Sequence, residues 1–446
     1  MLERRAYDEF LRWSRSQNQA RESGGQPTAL LVTGARQVGK TYLINRFLDA
    51  EYTATVRFDL IAQPQLARAL SADLTADEIM ARLTAAASGP LPPSTPTSRT
   101  AIFIDEVQAA PALVTQLKYL IQQYDFDFIL SGSLLGVAVG NIASYPVGSV
   151  HQVQMYPLDM KEFAAALGVS AELFAQAETA AREGTQVLDI LHDRLMRLFH
   201  EYLVVGGMPA AVDMYQKTHD VQAVRELQRQ IVQQYRADIT QYADVRYRLF
   251  IGRILDLIPS QLTRTSHRFQ FSDLEGVQRF TTVVGEFTWL IEAGVAHRVP
   301  AVAAPHKPLI LQGSESKFKL FSNDVGLLTS QFSREVDVAI LAGDTAGLNL
   351  GGVYENFVAC ELIAHGNTPY YFSNRKVGEL DLLTETPDGV LTAFEVKSGR
   401  DYLTHKALNN ALAVDNYTID RAVVLAETNV STADVHYIPI YLAGVG

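Results

Sequence analysis

The chain has 446 residues, 48% hydrophobic and 20% charged, with a net charge of −11 and one cysteine, Cys360. That length suits two or three domains, and the acidic balance argues against a uniformly basic nucleic-acid wrapper. A lone cysteine rules out an intramolecular disulfide and a cysteine-based zinc site, and no window approaches the ~18 unbroken apolar residues of a membrane helix.

The start, Met1-Leu-Glu-Arg-Arg, has no apolar core behind it, so no secretory leader is expected and the cytoplasm is the expected compartment. Leu2 to Gln19 reads as an amphipathic helix offering Tyr7, Phe10, Leu11 and Trp13 to a core. Pro27 to Thr33 is a short apolar, β-branched run of the kind that makes a buried parallel strand. Next come Gly34, Ala35, Arg36, Gln37, Val38, Gly39, Lys40 and Thr41, then Tyr42 and the helically spaced Leu43, Ile44, Phe47 and Leu48. Strand, G-x-x-x-x-G-K-T loop and helix in that order form the setting of a phosphate-binding loop. Its glycines let backbone N–H groups curl around phosphates, Lys40 reaches the β/γ-phosphates, and the Thr41 hydroxyl is a Mg²⁺ ligand. The expected ligands are therefore ATP and Mg²⁺; no Asn-Lys-x-Asp stretch selects guanine.

Val56 to Asp59 reads as a second strand, and Thr84 to Arg99 as a surface insertion rich in Pro, Ser and Thr. Thr100-Ala-Ile-Phe-Ile-Asp-Glu-Val107 is an apolar strand ending in two carboxylates. Asp105 is expected to hold Mg²⁺ beside Thr41, and Glu106 to act as general base on the attacking water. Asp127 to Ser133 gives another strand, with Ser133 placed to sense the γ-phosphate, and His151 to Pro157 a further one. Together these predict an α/β P-loop ATPase domain with a mostly parallel sheet over residues 1–200, whose helical stretch from Asp159 to about Leu198 serves as a lid or connector.

A Gly-Gly turn at Gly206-Gly-Met-Pro-Ala210 and a long helix from Asp220 to Tyr242 follow. Ile251 to Leu262, a helix capped by Ser272-Asp273, and Phe280 to Ala293 predict three helices, with strands Val295–Val299 and Phe318–Phe321 as a wing. This defines a helical, winged-helix region over 201–335. Its third helix is apolar and acidic, which argues against insertion into a DNA groove.

The remainder, 336–446, carries a helix with Glu355, then Asp381 in Gly378-Glu-Leu-Asp-Leu-Leu383, and Glu395 and Lys397 in Ala393-Phe-Glu-Val-Lys397. Alternation places Glu395 and Lys397 on one strand face. The set has the D…E-x-K shape of a PD-(D/E)xK nuclease: Asp381 and Glu395 for Mg²⁺, Lys397 for the attacking water, Glu355 for a second metal. An inactive scaffold of the same shape is the alternative.

The whole pattern resembles bacterial and archaeal AAA-type ATPases that carry a C-terminal domain of unknown function, related to the archaeal and STAND-like ATPases. The residues that carry the resemblance are Thr33 to Thr41, Ile104-Asp-Glu-Val-Gln108, Leu130 to Leu135, Met155 to Leu158 with Glu162-Phe163, Gly206 to Pro209, Phe318 to Phe321 with Asp324 to Leu327, and Gly378 to Asp381. The resemblance implies Mg-ATP binding at Gly34–Thr41 and hydrolysis assisted by Asp105 and Glu106. Many relatives carry Gly-Arg where this chain reads Pro146-Val-Gly-Ser149, so an arginine finger there is missing. Arg236, Arg246, Arg248 and Arg253 are the candidates to replace it, in cis or from a neighbouring subunit of an oligomer. DNA and a protein partner stand as alternative partners of the C-terminal half; no membrane is expected.

Overall fold

The computed structural model describes residues 2–87, 89–95, 98–133, 148–264, 266–277, 279–345, 347–399, 401–432 and 435–445. Leu134 and Leu135 of the Ser-Gly-Ser stretch, and Pro146 with Val147, lie outside the described residues. The chain forms two units, Glu3–Tyr156 with Glu292–Gly294, and Met1–Leu2 with Pro157–Ile291 and Val295–Gly446.

In the first unit, β1 (Ala29–Thr33), β2 (Ala54–Asp59), β3 (Thr100–Asp105), β4 (Asp127–Gly132) and β5 (Val150–Gln154) form one sheet. Every pairing is parallel, in the order β2-β3-β4-β1-β5. Successive strand residues feed opposite cores. Leu31, Ile102, Ile104, Phe128 and Leu130 pack under the helices Pro64–Leu70, Ala76–Ala86 and Ala112–Gln123. Leu30, Val32, Ala101, Phe103 and Ile129 pack under Arg5–Glu22 and Lys40–Glu51, with Phe10 and Trp13. Burial on both faces explains why these strands are continuous apolar runs in the sequence.

The division expected from sequence falls near residue 200; the observed one falls at Tyr156/Pro157. The helices Met160–Ala166, Ala171–Glu183 and Asp189–Val205 belong to the second unit, not to a lid of the first. The physical reason is apolar contact: Phe199 and Tyr202 meet the Phe357 ring edge-on at 5.0 and 5.6 Å. Gly207 closes this bundle, because a Cβ there would lie 2.1 Å from the Leu158 carbonyl oxygen.

The winged-helix expectation is only partly met. Arg248–Leu262 is a helix, but Ser272-Asp273 caps no helix; a single 3-10 turn, Phe271–Asp273, stands there, and Gly276 follows at φ +81°. The third helix, Val284–Glu292, starts later than Phe280 and buries Glu286, Phe287, Trp289 and Leu290. Phe287 lies against Phe318, ring centroids 5.1 Å apart. β6 (Ala296–Val302) and β7 (Phe318–Ser322) pair antiparallel as expected. They are not a free-standing wing, however, because β6 also pairs in parallel with β8 (Tyr370–Asn374).

The hairpin is thus one edge of an eight-stranded sheet that continues through β9 (Gly378–Glu385), β10 (Leu391–Val396), β11 (Arg421–Ala426), β13 (His436–Pro439) and the short β12 (Ser431–Thr432). Within it, helix Gly351–Ala364 precedes the antiparallel meander β8-β9-β10, and helix Lys406–Leu412 leads to β11, parallel to β10. Among the described residues no helix is long and apolar enough to cross a membrane.

Candidate functional site

The loop after β1 has the backbone its sequence calls for. Gly34 sits at φ +138°, where a Cβ would lie 2.2 Å from the Met155 carbonyl oxygen, and Gly39 caps the helix Lys40–Glu51 at φ +89°. Both conformations favour glycine. Ala35 and Val38 are buried, whereas Tyr42 points out, 60% exposed. Lys40 is buried and its Nζ donates to the Gly34 and Ala35 carbonyls at 2.9 and 2.7 Å. Burial lowers its pKa to about 8, against the opposing pull of Glu106 and Asp105. From outside, Arg4 clamps the loop, its guanidinium donating to the Val38 carbonyl at 2.9 Å and the Tyr156 carbonyl at 2.6 Å. Sequence reasoning missed Arg4, since a lone arginine ahead of a helix carries no motif.

Because β4 lies between β1 and β3, the ends of three strands converge on Asp105. Thr41 Oγ1 donates to Asp105 Oδ2 at 2.8 Å, and Ser131 donates to Oδ1. Burial raises the Asp105 pKa, partly countered by those two hydroxyls and reinforced by Glu106. Glu106 stands at φ +56°, with its own N–H on Asp105 Oδ1 at 3.0 Å. Ser133 donates to Glu106 Oε2 at 2.9 Å and Gln108 donates to the same oxygen. So Lys40, Thr41, Asp105, Glu106 and Ser133 share one site. Thr41 Oγ1 and Asp105 Oδ2 are hard oxygen donors side by side, a set that fits Mg²⁺.

In the second unit, the structure gathers Glu355, Asp381, Glu395 and Lys397. Asp381 Oδ2 accepts from the Val396 N–H at 2.8 Å, which ties β9 to β10. Lys397 Nζ lies 2.8 Å from Glu395 Oε1, while Glu395 Oε2 is buried without a hydrogen-bond partner. Burial pushes the Asp381 pKa well up, and the charges of Glu355 and Glu395 add to it. Glu355 is differently engaged: Oε1 faces His267 Nδ1 at 2.8 Å and Oε2 faces Lys319 Nζ at 2.8 Å. Burial alone raises the Glu355 pKa, yet these two partners bring it below the ordinary value. Among the described residues, no group of three or more His, Cys, Asp or Glu side chains is set to hold a metal.

Residues 26–164 match the family described as AAA domain. That match spans most of the first unit. Residues 196–337 and 350–443 match two families described as domains of unknown function, DUF8612 and DUF4143. No curated protein matches the chain. Among solved structures, a Walker-type ATPase of Pyrococcus abyssi is similar over 74% of this chain and 95% of its own, at 13% identity and TM-score 0.41. The Aeropyrum pernix ORC2 protein is 12% identical over 76% and 94%, with TM-score 0.37. The Thermotoga maritima RuvB Holliday junction branch migration motor is 15% identical over 67% and 90%, with TM-score 0.32. Likenesses at this level single out no function.

Outside the AAA domain, the four arginines weighed as fingers are all engaged within the second unit. Arg236 pairs with Asp256 at 2.6 Å, Arg246 with Asp244 at 2.9 Å and Arg253 with Glu275 at 3.6 Å. Arg248 donates to the Ala243 carbonyl at 2.8 Å. The first three pairs are largely exposed and hold these side chains only weakly.

Proposed function

We propose that this chain is a Mg²⁺-dependent ATPase whose nucleotide state controls its C-terminal unit. The observation that carries the reading is the convergence of Lys40, Thr41, Asp105, Glu106 and Ser133 at the ends of β1, β3 and β4. Thr41 and Asp105 would hold Mg²⁺, which would neutralise charge on the phosphates. The loop N–H groups and Lys40 bind and orient the triphosphate. Glu106 accepts a proton from the water that attacks the γ-phosphorus, and ADP leaves. Ser133 and Gln108, both on Oε2, fix the carboxylate that performs this step.

For the second unit, the helix-meander-helix-strand order and the Asp381, Glu395 and Lys397 set support a nuclease-like domain acting on DNA. A specific observation favours the rival, a protein-partnered switch with an inactive scaffold: Glu355 is already ion-paired in a buried site. ATP hydrolysis measured with and without single- and double-stranded DNA separates the two. Stimulation that fades with salt supports the DNA reading; a rate indifferent to DNA supports the switch.

A further inference from the structure

Lys319 belongs to β7, far in the sheet from the strands that carry the acidic set, and its side chain is fully buried. The segment before β7 explains its surroundings. Phe269 N–H donates to the Phe318 carbonyl at 2.9 Å and Arg268 bridges Lys319, which brings His267 to Glu355. The Lys319 ammonium stands 2.8 Å from Glu355 Oε2, 2.8 Å from Glu379 Oε1 and 3.4 Å from the Asp381 carbonyl oxygen. It also lies 5.1 Å from the centre of the Tyr371 ring.

An ammonium has three N–H donors, and here three oxygens surround it. A buried cation so enclosed by carboxylates does what a second metal would do: it neutralises Glu355 and Glu379 and fixes them. Both Glu355 oxygens are spent, on Lys319 and on His267. Asp381 and Glu395 keep capacity, marked by the unpartnered, buried Glu395 Oε2.

We propose that Lys319 is a resident cation in place of a second metal, so that the acidic cluster takes one divalent cation, at Asp381 and Glu395. This rests on the nuclease-like reading of the cluster and sets its stoichiometry: Glu355 is not a metal ligand in this chain. Removing the ammonium leaves Glu355 with His267 alone and takes the cation from Glu379, which favours capture of a second ion.

The test is Mn²⁺ titration of the full chain without nucleotide, with free Mn²⁺ followed by electron paramagnetic resonance. Asp381→Asn is expected to lose one site relative to wild type, Lys319→Gln to gain one, and Lys319→Arg to match wild type. Should Lys319→Gln not fold, Glu355→Gln decides: the count stays unchanged if Glu355 is no ligand. A loss of two sites in Asp381→Asn, an unchanged count in folded Lys319→Gln, or a lost site in Glu355→Gln would overturn the proposal. Asp381→Asn losing no site would instead show that the cluster binds no metal, removing the reading beneath it.

Discussion

Thr41 Oγ1 and Asp105 Oδ2 meet at 2.8 Å although β1, which leads into the helix of Thr41, and β3, which ends in Asp105, are separated in the sheet by β4. The hydroxyl at the start of a helix thus reaches past one strand to the carboxylate at the tip of another. Ser131 of that intervening strand binds the other Asp105 oxygen, so the three strand ends act as one. Thr41→Ala should therefore cost Mg²⁺ affinity in the nucleotide complex and lower turnover on the order of 10²-fold or more, as expected for loss of metal charge stabilisation. The check is ATPase rate against Mg²⁺ concentration; a variant with wild-type Mg²⁺ dependence would remove Thr41 from the metal site.

Nucleotide affinity should depend on pH through Lys40, whose pKa burial depresses to about 8. The sign follows from the direction of the shift. Below about pH 7 the lysine is charged with or without phosphates, so it adds no pH dependence. Above about 8 the free protein loses the proton and must regain it on binding, so affinity should fall by up to ~10-fold per pH unit. Calorimetric titration of nucleotide in two buffers of different ionisation enthalpy would show the proton uptake.

Gly34→Ala should damage the loop more than its size suggests. The added Cβ would meet the Met155 carbonyl oxygen at 2.2 Å, on a backbone at φ +138°. Strained backbone of this kind costs about 1–3 kcal/mol before the clash is counted. Nucleotide binding should be lost and the melting temperature lowered, both measurable by thermal shift with and without ATP.

The second unit contains a buried charge whose removal is readable as stability. Arg225 is 1% exposed, with Nε on Asp337 at 3.0 Å and Nη1 on the Val204 and Gly326 carbonyls at 2.8 and 3.0 Å. Asp337→Ala leaves that guanidinium uncompensated and should destabilise by about 3–5 kcal/mol. Urea unfolding followed by tryptophan fluorescence and circular dichroism would measure it.

What the sequence disclosed, and what it did not, follows from the range of the interactions. Gly34 to Thr41, Asp105-Glu106 and Ser133 lie at strand ends, where a short contiguous run sets both backbone and chemistry. The strands β1, β3 and β4 were legible because burial on both faces leaves unbroken apolar runs. The hairpin β6-β7 was legible as a pair, but its membership of the larger sheet depends on Ala301 and Val302 meeting Tyr371 and Phe372, some seventy residues on. In the strand Phe318–Phe321 nothing local marks Lys319 as the partner of Glu355 and Glu379. The helix expected after Ser272-Asp273 failed because Gly276 adopts positive φ three residues later.

The measurement that tests the account most directly is steady-state phosphate release from Mg-ATP by wild type and Glu106→Gln, with ATP binding measured on the same preparations. Glu106 is the group assigned to the attacking water, held by Ser133 at 2.9 Å. The account predicts that Glu106→Gln binds ATP as the wild type does while turnover falls about 10²–10⁴-fold. Turnover at the wild-type rate in Glu106→Gln, or a wild-type chain that binds ATP and releases no phosphate under any of these conditions, would contradict it.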